Sequence, residues 1–152
     1  DGEPDIEVSP ATHRLTMVVA AADGLDGVEA DDTEIQHGGP TYTADTLVAL
    51  TKRYPGAELV LLVGADVAAR MDTWARPEEV RQYATIVVMT RPGSDQIRLP
   101  EGWQYQILEV PAYDISSTEI RRRVAAGEVI SDLVPAGVAS VIDEAGLYRG
   151  VG

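Results

Sequence analysis

The stretch "ELVLLVGAD", residues 58–66, decides how this chain folds. Leu59 to Val63 are apolar without a break, so the run lacks the apolar–polar alternation of a strand with one wet face. It predicts a strand over 58–63 that is buried on both faces. Gly64 ends the run without a side chain, and Asp66 is then either a helix cap or a carboxylate for ribose hydroxyls. A second apolar run, "ATIVVM" (84–89), predicts a neighbouring strand. A short helix near 66–71 and another near 77–83, opened by Pro77 as its first residue, fill the space between them. Strands alternating with helices indicate βαβ units and a mostly parallel sheet.

Outward from this centre the pattern continues. "VEADDTEI" (28–35) reads as a polar strand, and "TADTLVALTKRY" (43–54) as a helix capped by Thr43, with Leu47, Leu50 and Tyr54 inward and Pro55-Gly56 as its stop. "THRLTMVVAAA" (12–22) places Leu15, Val18, Val19 and Ala22 on one helical face. The loop "RPGSDQIRLPEGW" (91–103) leads to a strand "YQILEV" (105–110). A helix over 118–126 ends at Gly127, and "PAGVASVIDEAG" (135–146) makes the last helix. The 152 residues, 45% hydrophobic, suffice for a single domain over 1–152.

The composition excludes several classes. Twenty-five acidic residues against 12 basic ones leave a net charge of −13, which opposes a nucleic-acid or anionic-membrane surface. Cysteine is absent, and His13 and His37 are too isolated for a metal centre or for a general base with an orienting partner. No apolar run approaches membrane-spanning length, and the acidic opening "DGEPDIEVSPAT", without Met or strand, is no signal peptide. The expected setting is cytoplasmic.

The polar residues suited to chemistry follow the strands: "HGGPTYT", "GAD", "TRPG" and "AYDISST". In open α/β sheets ligands bind beyond the carboxyl ends of the strands, so these loops point to one shared cleft. "ISSTEIRRR" (115–123) admits two readings. Ser116 with Glu119 forms a capping box; alternatively the hydroxyls and amides of Ser116, Ser117 and Thr118 surround an anion at the positive helix end, with Arg121 reaching back to it. Arg122 projects nearly opposite Ile120, into solvent. Trp74 is either a core aromatic or a stacking plate, and Arg91 pairs with a carboxylate or grips a phosphate.

In this order, "GGPTYTADTL", "GAD", "TW", "RPG", "ISSTEIRRRV" and "LVPAGVASVIDEAGLY" resemble bacterial nicotinate-nucleotide adenylyltransferase, from about His13 to Tyr148. The resemblance implies a Rossmann-like nucleotidyltransferase α/β fold, with a mostly parallel sheet and helices on both faces. It also implies adenylyl transfer from ATP, with Mg²⁺, to nicotinate mononucleotide, giving nicotinate adenine dinucleotide and pyrophosphate in NAD biosynthesis. Tyr42 and Thr43 are then expected at the nicotinate end, and Trp74 stacked on the pyridine. Asp66 and Gly64 line the middle of the cleft, Gly64 toward ATP and Asp66 toward the nicotinate nucleotide, and Arg91 binds phosphate. Ser116, Ser117, Thr118 and Arg121 hold ATP phosphates.

The family's "GGTFDPIHxGH"-type loop has no counterpart here, so no catalytic residue is assigned. The resemblance implies that one N-terminal strand–helix–strand unit is missing. Its loss is expected to leave an open sheet edge and to make these 152 residues alone poor catalysts. A related adenylyltransferase acting on nicotinamide mononucleotide and a non-catalytic nucleotide-binding remnant are the alternatives. A homo-oligomer is left open.

Overall fold

The computed structural model describes residues 9–94 and 97–150. The expectation of no strand at the start therefore falls, for residues 1–8, outside the described residues, as do two positions of the 91–103 loop. By contacts the chain sorts into two compact units. One is contiguous, Thr33–Tyr113; the other unites the two ends of the chain, up to Asp32 and from Asp114.

The contiguous unit is built on a sheet. Strands β1 (Leu59–Gly64), β2 (Ala84–Thr90) and β3 (Tyr105–Glu109) form a three-stranded parallel sheet in the order β1-β2-β3. The register pairs Leu61 with Ile86 and Leu62 with Val87, then Val88 with Ile107 and Met89 with Leu108. Between β1 and β2 the chain makes helix α4 (Ala65–Ala68), a 3₁₀ turn (Met71–Thr73) and helix α5 (Pro77–Tyr83), as the sequence predicts. Pro77 sits in the first turn of α5, where its missing N–H costs nothing. Helix α3 (Thr43–Arg53) packs beside α5. Ala44, Leu47, Val63, Ala68, Met71, Val80, Ile86, Val88 and Trp103 form the core on one face of the sheet.

Four expectations change here. β1 is buried on one face only: Val60 and Leu62 remain 51% and 54% exposed, while Leu59, Leu61 and Val63 turn toward the core. Among the described residues β1 pairs with β2 alone, and an edge strand with one covered face alternates. Residues 28–35 hold no strand; after an irregular stretch the chain enters a short helix, α2 (Thr33–His37). Glu34 in its first turn and His37 in its last suit the helix dipole, and a run with Glu29, Asp31 and Asp32 is a poor strand former. Thr43 is the first residue of α3 rather than its cap. Tyr42 holds the cap position in an extended conformation without a side-chain bond, and Tyr54 stays exposed.

The second unit is helical. Helix α1 (Ala11–Ala22) packs on α7 (Ala136–Glu144), with α6 (Ser117–Ala125) contributing Ile120 and Val124. Its core is Ile130, Val138, Ile142 and Leu147. The face that α1 buries is Met17, Ala20 and Ala21, whereas Val18 and Val19 are half exposed. Small residues win this face because the helices approach closely: a Cβ on Gly137 of α7 would lie 3.3 Å from the Cβ of Ala20.

Candidate functional site

In the sheet unit, the expected residues lie at the carboxyl end of β1 and β2 and at the start of α3. Gly64 closes β1 and caps α4, which places Asp66 exposed in the first turn of that helix. Asp66 is therefore no cap. Among the described residues its carboxylate has no hydrogen bond or ion pair. Arg91 follows β2, is exposed, and likewise keeps its guanidinium free among them, while its carbonyl accepts from the Ser94 amide and hydroxyl. A carboxylate and a guanidinium held unpaired beside adjacent strand ends suit ribose hydroxyls and a phosphate, respectively.

At α3, the carbonyl of Tyr42 accepts from the amides of Asp45 and Thr46 at 3.0 and 3.2 Å, which starts the helix. The first-turn amides of Thr43 and Ala44 have no acceptor within it. A cavity of about 280 Å³ lies alongside, lined by Glu34, His37, Thr41, Asp45 and Thr46. Trp74 ends the 3₁₀ turn, with its amide on the Met71 carbonyl at 3.3 Å. Its half-buried indole meets the buried Trp103 edge to face, with ring centroids 6.4 Å apart at 80°. The ring is thus anchored to the core, yet not enclosed by it.

In the helical unit, "ISSTEIRRR" forms half of a capping box. Ser116 is the N-cap and its Oγ accepts from the Glu119 amide at 3.2 Å. The Glu119 carboxylate does not return the bond. It accepts instead from Arg122 at 2.8 and 2.9 Å and from Arg123 at 3.2 Å. A charged guanidinium outcompetes a neutral backbone donor. Hydrogen bonds from Arg122 and then Arg123 pull this carboxyl from its ordinary 4.5 down to about 2. Arg122 also grips Glu128, and Arg123 grips Asp132, so both guanidinium groups are held more firmly protonated than usual. Arg122 is exposed, as expected, but paired as well.

Arg121 differs from its neighbours. Among the described residues it has no carboxylate partner and lies against the Tyr148 ring, 5.9 Å from its centroid. Tyr148, itself at φ 60°, is tied through its hydroxyl to the Ser9 hydroxyl at 3.0 Å. Ser117 and Thr118 stand exposed in the first turn of α6, beside amides that have no acceptor within the helix. Three hydroxyls thus stand beside first-turn amides at the positive helix end, an arrangement whose chemistry suits an anion. A cavity of about 570 Å³ lies at the other end of α6 among Val124, Ile130, Ile142 and Arg149, and holds none of the expected residues. His13 lies within α1, and His37 places its Nδ1 3.1 Å from the Gly38 carbonyl.

Residues 3–123 match the cytidylyltransferase-like family model. A probable nicotinate-nucleotide adenylyltransferase of Saccharopolyspora erythraea is 41% identical over 145 residues, 94% of this chain and 68% of that protein. One from Corynebacterium kroppenstedtii is 43% identical over 144 residues, 93% of this chain and 68% of that protein. The chain belongs to the nicotinate-nucleotide adenylyltransferase family. The solved structure of Plasmodium falciparum nicotinic acid mononucleotide adenylyltransferase complexed with NaAD superposes on 96% of this chain and 78% of its own with a TM-score of 0.68. At 18% identity that likeness establishes the nucleotidyltransferase fold.

Sequence reading of this adenylyltransferase chain missed two residues beside Trp74. Arg76 adopts φ 51°, ψ 58° and forms an ion pair with Asp45 in the first turn of α3, and a second with Glu79 at 3.2 Å. Pro77 was the one available signal, since a proline disfavours the right-handed helical region for the residue before it. That restriction does not name the left-handed region, nor the partner 31 positions away.

Proposed function

We propose that this protein transfers the adenylyl group of ATP to nicotinate mononucleotide, giving nicotinate adenine dinucleotide and pyrophosphate. The observation that carries the reading is Arg121: among the described residues it alone of three consecutive arginines is left without a carboxylate, one turn into a helix whose start carries Ser116, Ser117 and Thr118. The family membership and the names of the relatives support the same assignment.

In this reading Ser116, Ser117, Thr118 and Arg121 bind ATP phosphates, with Gly64 giving the nucleotide close approach to the backbone. Tyr42, Thr43 and Trp74 receive the nicotinate end: the α3 amides meet its carboxylate and the indole stacks on the pyridine. Asp66 accepts from ribose hydroxyls and Arg91 binds phosphate. A phosphate oxygen of the mononucleotide bonds to the α-phosphorus of ATP while the bond from that phosphorus to the bridging oxygen breaks, and pyrophosphate leaves. No covalent enzyme intermediate is needed; the protein supplies position and positive charge. Among the described residues no three His, Asp or Glu side chains cluster to hold a metal. Mg²⁺ is best assigned to the ATP phosphates, arriving with the substrate.

Pyrophosphate release with Mg²⁺-ATP is expected to be faster with nicotinate mononucleotide than with nicotinamide mononucleotide. Equal rates would transfer the assignment to the amide-using sibling. Arg121→Ala is expected to weaken ATP binding by about 10-fold or more, the scale of a charge-assisted contact, and to leave nicotinate mononucleotide binding unchanged. Tight binding of both nucleotides without pyrophosphate release, even beside an intact upstream segment of the family, would favour a non-catalytic remnant.

A further inference from the structure

Arg76 stands in a conformation that L side chains rarely adopt, φ 51° and ψ 58°, where glycine would be free of strain. Its guanidinium nevertheless reaches across to Asp45 in the first turn of α3 and to Glu79 in the first turn of α5. Both ion pairs are solvent-exposed, with side chains near 40% accessible, and exposed pairs add little to stability. A strained backbone held by weak pairs is a poor stabilising device. The same bonds do fix a position, because Arg76 lies two residues beyond Trp74 and Asp45 two residues beyond Thr43.

We propose that the Asp45–Arg76 ion pair is a positioning latch, which holds the turn Trp74–Ala75–Arg76 against the N-terminus of α3 and thereby sets the indole where the pyridine ring stacks. Two other contacts complete the clamp: the Trp74 amide bonds the carbonyl of the fully buried Met71, and the Trp74 and Trp103 rings meet edge to face. The Asp45–Arg76 pair is a hydrogen-bonded link from this turn to α3, beside the apolar packing of Trp74 on the core that Ala44 and Leu47 share; the first amides of α3 face the nicotinate carboxylate in the proposed reading. Asp45 and Arg76 touch no substrate; they act through Trp74. The inference rests on the assignment of Trp74 to the pyridine.

The test is titration with nicotinate mononucleotide, followed by calorimetry and by quenching of tryptophan fluorescence. Arg76→Gly cuts the latch while relieving the backbone, so its melting temperature is expected to hold or rise. Its dissociation constant for nicotinate mononucleotide is expected to rise about three- to ten-fold, the range of one aromatic contact, with weaker quenching and unchanged ATP binding. Asp45→Asn is expected to repeat the loss, and Arg76→Lys, which keeps the charge, to restore part of it. Wild-type affinity and quenching in both Arg76→Gly and Asp45→Asn overturn the latch, as does a loss that only tracks a fall in melting temperature. Trp74→Leu is the separate check: unchanged affinity in that variant removes the pyridine assignment itself, and the latch with it.

Discussion

Glu119 shows how a single carboxylate can be claimed by more than one demand. Its spacing to Ser116 predicts a capping box; the structure gives the backbone amide to Ser116 and the carboxylate to Arg122 and Arg123, three and four residues on. The second outcome was present in the sequence but outranked by the motif, because a motif records spacing and not the relative strength of donors. The pH consequence follows from the sign of the shift. A carboxyl held at about 2 when folded and near 4.5 when unfolded contributes stability above the unfolded value, and this is lost as pH falls through the folded one. Glu119→Gln is therefore expected to flatten the acid limb of stability between about pH 4.5 and 2, relative to wild type, in urea melts across that range. An unchanged acid limb would show that the pairs do not persist in solution. Arg121 and Arg122 were better served by sequence alone, since the helical period already set Arg122 outward, opposite Ile120, and left Arg121 to flank the core.

Among the elements, β1 marks the limit of what an apolar run discloses. Leu59 to Val63 do form a strand, but five apolar residues in a row cannot say which face the chain will cover. The alternation appears only in the burial, with Val60 and Leu62 turned away from the helices that cover Val63, Ile86 and Val88. The error at 28–35 has another cause: a polar run was read as a strand, although Glu29, Asp31 and Asp32 make it a poor strand former. α1 was placed correctly and faced wrongly, because large side chains were preferred for its buried stripe where a close helix crossing required alanines. A contrast of substitutions follows. Met71→Ala, at a fully buried site, is expected to cost about 2–5 kcal/mol, and Val60→Lys on the open face less than about 0.5 kcal/mol. Val60→Lys is also expected to lower self-association in light scattering, by putting a charge on an edge strand. Equal losses from the two in urea melts would mean that the face bearing Val60 is covered.

At the scale of the molecule, charge and connectivity dominate. A net charge of −13 on 152 residues makes the chain repel itself, since its 25 acidic groups share only 12 lysines and arginines. Screening is accordingly expected to raise the melting temperature between about 10 and 150 mM salt, whereas a chain governed by its surface ion pairs would lose stability over the same range. Composition alone discloses that property. The division into units is invisible to it, because the pairing of Ala20 with Gly137 joins residues more than a hundred positions apart and leaves no local trace. That pairing gives the two ends of the described chain a common fate. Ser9 bonds Tyr148, and α1 lies on α7, so everything from Thr33 to Tyr113 is a loop that this clasp must close. For a flexible loop of roughly 80 residues, closure alone costs about 4 kcal/mol in chain entropy, a cost that falls once the sheet unit has ordered the intervening chain. During synthesis α1 must wait for its partner: α7 does not exist until more than a hundred further residues have been joined.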